Sequence, residues 1–369
     1  MSTLVVGGYG SVGRVICREL ARSSAHDDEV RVAGRDRPAA IEFASTLPGP
    51  ATGVRIDLSD LDSWEGELSD ADRVVVCVDQ EGTSFVDACL GRGIDYVDVT
   101  ASDEFLRRLE SLDEHARTAN ATAVLSVGLS PGLTNLLAAR LAGSLEMVSS
   151  IEISVLLGVG EAFGPAASRW TLERIGRPFS VETAGASPQI RGFTDPRTVA
   201  FPGFGRRRAY RFDLADQHVL ARTLGVPEVA TRLCFDSKLL TRTAAAMARS
   251  GVYPSVLEVV GSAQLARLFE VVELGSNEFA LVVEAAGDVD SSRRRRRATV
   301  LGHEQSRGTG IVAARVVEQL IQDDLRAGVY HSNQVIDAAP IVADLRERGY
   351  RFSGLEASSE TTTRTSSPS

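Results

Sequence analysis

The sequence predicts a doubly wound α/β fold carrying an inserted α+β unit, and three observations predict it. The first half alternates short apolar runs with stretches of helical period, the pattern of parallel strands joined by crossover helices. A glycine-rich segment stands where the first strand gives way to the first helix. Beyond about Gly128, strand-like runs follow one another with turn-rich connections, which implies an antiparallel sheet. A chain of 369 residues, 43% apolar and 24% charged, suffices for two soluble domains with a core each.

The elements follow in order. "TLVVGG" is a short apolar strand ending in glycine, and "VGRVICRELARS" carries apolar residues at helical spacing. "EVRVAGR" is a second strand, and "RPAAIEFASTL" a helix closed by Pro48 and Gly49. "GVRIDLSD" and the fully apolar "DRVVVCVD" are the third and fourth strands. The helix "GTSFVDACLGRG" leads to a fifth strand, "DYVDVT", then to one amphipathic helix, "DEFLRRLESLDEHARTA". "TAVLSVGLSPG" is a sixth strand running into a turn. After it come the helix "LTNLLAARLAG" and the long strand "VSSIEISVLLGVG". The stretch from Ala162 to Arg211 is rich in Gly, Pro and Arg, with little period. "EFALVVEAAGDVDSSRRRRRATVLGHE" reads as two strands joined by a polar turn, with Arg293–Arg297 as an exposed charged turn beside Asp288 and Asp290. Two C-terminal helices, "TGIVAARVVEQLIQDDLRAG" and "NQVIDAAPIVADLRERGY", precede a small polar tail. The expected division is residues 1–128 with about 310–350 as one domain, 129–309 as the inserted domain, and 354–369 as a disordered tail.

Composition excludes several function classes. A net charge of -9 leaves no basic excess to neutralise phosphates over a broad surface, so neither nucleic acid nor an anionic membrane is an expected partner. No run of about 20 apolar residues offers a membrane span. The cysteines Cys17, Cys77, Cys89 and Cys234 form no C-x-x-C pair, and the first strand begins too soon after Met1 for a signal peptide. Both features point to the reducing cytoplasm. The five histidines lack metal-ligand spacing, so no metal is expected.

The glycine segment Gly7-Gly8-Tyr9-Gly10-Ser11-Val12-Gly13 fits both G-x-G-x-x-G and G-x-x-G-x-x-G. Such glycines permit a tight turn, close approach of the backbone to a pyrophosphate, and close packing of helix on strand, which defines a Rossmann cradle. The pyrophosphate then meets free N–H groups at the helix N-terminus. At the end of the second strand, Gly34 leaves space and Arg35 supplies a cationic fork suited to the 2′-phosphate of NADP(H), with Arg37 able to assist. NAD(H) is the lesser expectation, with Asp36 as its ribose reader. Asp57 and Leu58 stand where an adenine ring rests. Val78 and Thr100, at the ends of the fourth and fifth strands, complete the expected cofactor contacts.

Two other chemistries are set aside. Gly128-Leu129-Ser130-Pro131-Gly132 matches G-x-S-x-G, the nucleophile elbow of hydrolases, with Ser130 as nucleophile and His303 as base. That elbow needs the backbone N–H of the residue after the serine, and Pro131 has none. The Tyr-x-x-x-Lys acid of short-chain reductases is also missing, since the single lysine, Lys238, follows Cys234 at that spacing.

The stretches "VVGGYGSVGR", "YVDVTASDEF", "GLSPGLTNLLA", "FPGFGRRRAYR", "GHEQSRGTGIVAA" and "GVYHSNQVID" resemble the saccharopine dehydrogenase-like family, which includes saccharopine reductases, carboxynorspermidine dehydrogenases and lysine 6-dehydrogenases. The resemblance implies an NAD(P)-binding Rossmann domain, an inserted substrate-binding domain that often mediates dimerisation, and C-terminal helices packed back on the first domain. Members mostly interconvert imine and amine by hydride transfer, and others reduce carbonyl or enoyl groups. Ser130 departs from the family's pattern, which carries aspartate there, and this keeps carbonyl or enoyl reduction open.

In an open α/β sheet the site lies beyond the carboxyl ends of the strands. That selects Asp79 and Asp98 as candidate acids or iminium stabilisers, and Ser130 as a substrate contact. His303, beside Glu304, is a candidate proton carrier at the domain seam. Arg206, Arg207 and Arg208 are candidates to clamp a substrate carboxylate. The expectation is an NADPH-dependent reductase of a C=N bond in a small metabolite, acting as a homodimer. Reduction of C=O or C=C in a less polar metabolite is the second reading, and an NADP(H)-binding sensor or scaffold without turnover the third.

Overall fold

The computed structural model describes residues 1–23, 28–160, 165–181, 188–251, 253, 275–323 and 325–355. Six strands of the first half form a parallel sheet: β1 (Ser2–Val6), β2 (Glu29–Gly34), β3 (Ala51–Arg55), β4 (Arg73–Val76), β5 (Asp95–Asp98) and β6 (Thr122–Leu125). A second, mixed sheet contains β7 (Met147–Leu157), β10 (Thr194–Phe201), β11 (Gly205–Arg211), β12 (Val229–Phe235), β13 (Glu278–Val289), β14 (Ser292–His303) and β16 (Arg351–Ser353). β8 (Pro178–Ser180) and β9 (Gln189–Arg191) pair with each other, and β15 (Gly328–His331) returns to the parallel sheet.

The parallel sheet runs β15-β6-β5-β4-β1-β2-β3. Helices cover both faces, so β1 and β4 are apolar and buried along their whole length. The order reverses between β1 and β4, which opens a crevice at the carboxyl ends of these strands. The edge strand β15 lies in "GVYH", a run too short and polar-flanked for its periodicity to announce it. Two expected helices are split: residues 103–119 form Asp103–Glu110 and Asp113–Thr118, and the last one forms Ser332–Val335 and Ala338–Glu347. The second break has a local cause, because the Asp337 carboxylate caps the new helix through the Ala339 N–H.

The second sheet runs β10-β11-β12-β7-β13-β14-β16 and is antiparallel except for the β12–β7 pair. Its β13–β14 hairpin closes on Asp290 and Ser291, both at positive φ (49° and 59°), as a two-residue turn that matches strand twist requires. Arg293–Arg297 are therefore not the turn. They lie within β14, paired in register from Asp288 opposite Arg293 to Glu284 opposite Arg297, and all five are exposed. The two sheets meet across the helix Leu133–Ala142, which is buried on nearly every side and packs on β13 and β7. Val155, Leu281 and Val283 face that helix, whereas Leu156, Ala280 and Val282 face Val199 and Phe201 on the far side.

Gly354 and Leu355, expected to begin the tail, belong to the fold, because Leu355 is buried and Arg140 donates to its carbonyl. Residues 356–369 lie outside the described residues. No helix among the described residues is long and apolar enough to cross a membrane.

Candidate active site

The glycine segment spans the turn from β1 into the helix Ser11–Leu20. Gly7 sits at φ +81°, and a Cβ there would lie 2.6 Å from Val78. At Gly13 a Cβ would stand 2.2 Å from the Gly7 carbonyl oxygen and 2.7 Å from Gly8 Cα, so helix and strand approach as closely as two backbones can. Gly10 differs. It is the N-cap, is exposed, and a Cβ would meet nothing nearer than the Gly7 oxygen at 3.1 Å. The first amides of the helix therefore open onto free space, which is the cradle a pyrophosphate requires.

At the β2 end, the space over Gly34 is not left for the cofactor's phosphate as the sequence suggests. The Tyr9 ring fills it, and a Cβ at Gly34 would lie 2.4 Å from that ring. The Tyr9 hydroxyl oxygen accepts the Asp36 N–H at 3.0 Å, and Arg14 Nε donates to the Tyr9 carbonyl at 2.6 Å. The Asp36 carboxylate turns away and caps the helix Arg37–Ala44 by accepting the Ala39 N–H. Arg35 and Arg37 are exposed, and Arg35 makes no ion pair among the described residues. This rim offers cations while its nearest carboxylate is engaged, and it fits NADP(H) better than NAD(H). Asp57 lies just past β3, bonded to Ser59, and Ser59 holds its carboxyl below the usual range with help from Arg35. Leu58 packs against the core beside it.

Asp79 and Val78 are exposed after β4. Asp98, at the end of β5, is 1% exposed and fully engaged. Its Oδ2 accepts from the Tyr96 hydroxyl at 2.5 Å and from Gln80 Nε2 at 3.0 Å, and its Oδ1 accepts the Thr100 N–H at 2.7 Å. Burial pushes its carboxyl up to about 6. The candidate acid at Asp98 is thus corrected to a clamp that fixes the β4 and β5 loops, because every oxygen lone pair facing outward is already used. Asp79 is left as the accessible carboxylate at this crest.

Ser130 precedes Pro131 by a cis peptide bond in the turn after β6, and Gly132 closes that turn at φ +132°. Its hydroxyl donates to Asp216 Oδ2 at 2.8 Å, while the Thr134 hydroxyl donates to the other carboxylate oxygen. Asp216 is 0% exposed, and burial pushes its carboxyl up to about 6. It reaches the turn because its helix, Ala215–Leu224, is tied to the first sheet's layer. Arg222 contacts Asp103 at 2.7 Å and Glu110 from Nε at 3.0 Å, and His331 on β15 shares Glu110 at 2.9 Å. Sequence reasoning missed Asp216, since nothing local links positions 86 residues apart.

The structure relocates the remaining candidates. His303 ends β14 with its ring stacked on Tyr350 (centroids 5.1 Å apart), and its carbonyl accepts from the Tyr350 hydroxyl. That is a packing role beside the helix Gln305–Gln322, whose Gly310 lies against Val12 and Val15 of the cradle helix. Arg206, Arg207 and Arg208 lie on β11. The adjoining hairpin turn rests on Leu301 of β14 through Gly203, and Arg297 donates to Ala200 of β10. Arg207 pairs with Val199, on the sheet face turned away from the helix Leu133–Ala142. The expected clamp is not assembled there. A different arginine, Arg174, closes the helix Pro165–Arg174, is half-buried, and lies over the Trp170 ring at 3.9 Å from its centroid. Asp213 and Asp79 both act on it electrostatically.

A switch-point crevice, a glycine cradle and a cationic adenosine rim define an NADP-dependent oxidoreductase. Residues 3–124 match the family described as saccharopine dehydrogenase NADP binding domain. The chain is a saccharopine dehydrogenase-like protein, and its cofactor is NADP(H). No curated protein matches the chain. Among solved structures it is similar to saccharopine dehydrogenase (L-Glu forming) from Saccharomyces cerevisiae, at 15% identity and a TM-score of 0.67 over 95% of this chain and 99% of that one. It is also similar to an engineered D-amino acid dehydrogenase bound to NADP+, at 15% identity and a TM-score of 0.51, again over 95% of this chain and 99% of the other. These likenesses concern the fold.

Proposed function

We propose that the protein is an NADPH-dependent reductase of the C=N bond of a small metabolite. The observation that carries the reading is the crest of the parallel sheet, where Asp79 stands exposed beside the cradle residue Val78. A carboxylate there lowers the energy of an iminium carbon's charge before reduction. NADPH, when bound, supplies the hydride. Gly7, Gly8, Tyr9, Gly10, Ser11, Val12 and Gly13 would hold its pyrophosphate, Arg35 its 2′-phosphate, and Asp57 and Leu58 its adenine. Asp98 keeps Thr100 and Gln80 fixed, and Asp216 holds Ser130 in its turn.

The second reading, reduction of a C=O or C=C bond, is favoured by one feature. Ser130 presents a hydroxyl where the family pattern has a carboxylate, and Asp216 behind it is fully buried. A homodimer in the cytoplasm belongs to the same proposal, and light scattering of the purified protein checks the assembly.

The test begins with binding of NADPH and NADH, by nucleotide fluorescence, to the wild type and to Arg35→Ala. Tighter NADPH binding, reduced about tenfold or more by the substitution while NADH is unaffected, is expected. Imine, carbonyl and enoyl panels with NADPH then separate the two reductase readings. NADPH binding without oxidation across all panels would instead mark a sensor.

A further inference from the structure

The inserted unit turns one cation toward the first sheet. The Arg174 guanidinium lies face-down on Trp170, at 3.9 Å from the ring centroid, and Trp170 in turn meets Phe212 edge-on at 6.0 Å. Stacking covers one face of the guanidinium and leaves its N–H edge open. Among the described residues Arg174 has neither an ion pair nor a hydrogen bond to its side chain. Its neighbouring carboxylates do not neutralise it. Asp213 is held by His218 Nε2 at 2.9 Å, and Asp79 belongs to the opposite wall, on the crest of the parallel sheet. Phe212 and Asp213 lead directly into the helix that carries Asp216 to Ser130, so the stack sits on the segment that closes the seam. The end of a helix favours a cation, which lowers the cost of keeping this one half-buried. A half-buried, unpaired arginine that faces a crevice across from a free carboxylate is poised to take an anion.

We propose that Arg174, backed by Trp170, is the subsite that receives a carboxylate of the substrate, so that the substrates are small carboxylate-bearing metabolites. The inference rests on the reductase reading above. The open guanidinium edge matches the two oxygens of a carboxylate. Two carboxylates within electrostatic reach of a single cation favour a monoanion over a dianionic phosphate. With the carboxylate on Arg174, the reducible carbon of the same molecule is turned toward Asp79 and the β4 crest.

The experiment uses the full chain with NADP+ bound. Acetate, propionate, glutarate and phenylpropionate are titrated by calorimetry against their primary amides and against inorganic phosphate, in the wild type, Arg174→Met and Arg174→Lys. At least one carboxylate is expected to bind at least tenfold tighter than its amide and than phosphate. Arg174→Met is expected to abolish that preference and Arg174→Lys to retain part of it, with NADP+ affinity unchanged in both. The proposal is overturned if no carboxylate binds, if amides or phosphate bind as well, or if Arg174→Met keeps the preference. Failure of the wild type to bind NADP+ overturns the reductase reading beneath it, and nucleotide binding is scored separately for that reason.

Discussion

Around the first glycine loop the fold leaves no room for side chains, whereas the seam between the two sheets is filled by them. The cradle is backbone meeting backbone, with Gly7, Gly8 and Gly13 within van der Waals reach of one another. The seam is assembled from β5, the turn after β6, the helix Pro165–Arg174 and the helix Ala215–Leu224. A site made of backbone tolerates no added atom. A site made of side chains tolerates exchange, and so is free to differ in substrate while the cofactor stays the same.

The sharpest way to break the comparison is to add one carbon to the cradle. Gly13→Ala puts a Cβ 2.2 Å from a carbonyl oxygen that cannot move without pulling β1 away. Overpacking of this kind costs about 1–3 kcal/mol, which for a chain of this size lowers Tm by several degrees. NADPH affinity is expected to fall about a hundredfold. Gly10→Ala is the control, because its Cβ meets nothing closer than 3.1 Å. Its Tm should stay within about 1 °C of wild type while nucleotide binding weakens, since the added methyl stands where the pyrophosphate arrives. Thermal melts with and without NADPH decide this, and equal behaviour of the two variants would defeat the argument.

The same contrast explains what could be read in advance. Gly7 to Gly13, Arg35 and the alternating strands are local, because a tight turn, a helix N-terminus and a strand end are each encoded within about ten residues. Asp216 and Arg174 act on residues of other elements, and only the packing of the inserted unit brings them there. Arg206–Arg208 attracted attention as a cluster, yet strand pairing with Val199 and Ala200 carried them to the other side of the second sheet. Tyr9 was read as a cradle residue, but its ring over Gly34 depends on the turn geometry at the ends of two strands.

At the seam, a pH measurement tests whether the buried carboxylate is as isolated as its burial implies. Asp216 titrates at about 6 in the fold against a usual value of 3.8, so the folded state binds the proton more tightly than the unfolded chain. The stability this proton confers is fully present below about pH 4 and is lost as pH rises through about 6. Its magnitude is on the order of 3 kcal/mol. Asp216→Asn cannot titrate, so between pH 4 and 7 its unfolding free energy should fall less than that of the wild type by about that amount. Urea melts at pH 4.5 and 7 give the comparison. Parallel pH dependences in the two proteins would mean that water or a cation reaches the carboxylate.

The smallest expected effect lies where the two modes of construction meet, at Tyr9. Its ring packs on Gly34 as backbone-like filling, but its hydroxyl is a side-chain contact to the Asp36 N–H at 3.0 Å. The oxygen accepts that bond, so its own O–H is free to donate, and it stands at the β2–α turn beside Arg35. Tyr9→Phe keeps the ring and removes the oxygen. The fold should lose about 1 kcal/mol or less, the worth of one exposed hydrogen bond. If the O–H donates to the 2′-phosphate, NADPH affinity drops about three- to tenfold while NADH affinity is unchanged, because NADH has no phosphate to lose. If the hydroxyl only steadies the turn, both nucleotides weaken together. The ratio of the two affinities therefore tells whether Tyr9 belongs with the glycines as structure or with Arg35 as a reader of the cofactor.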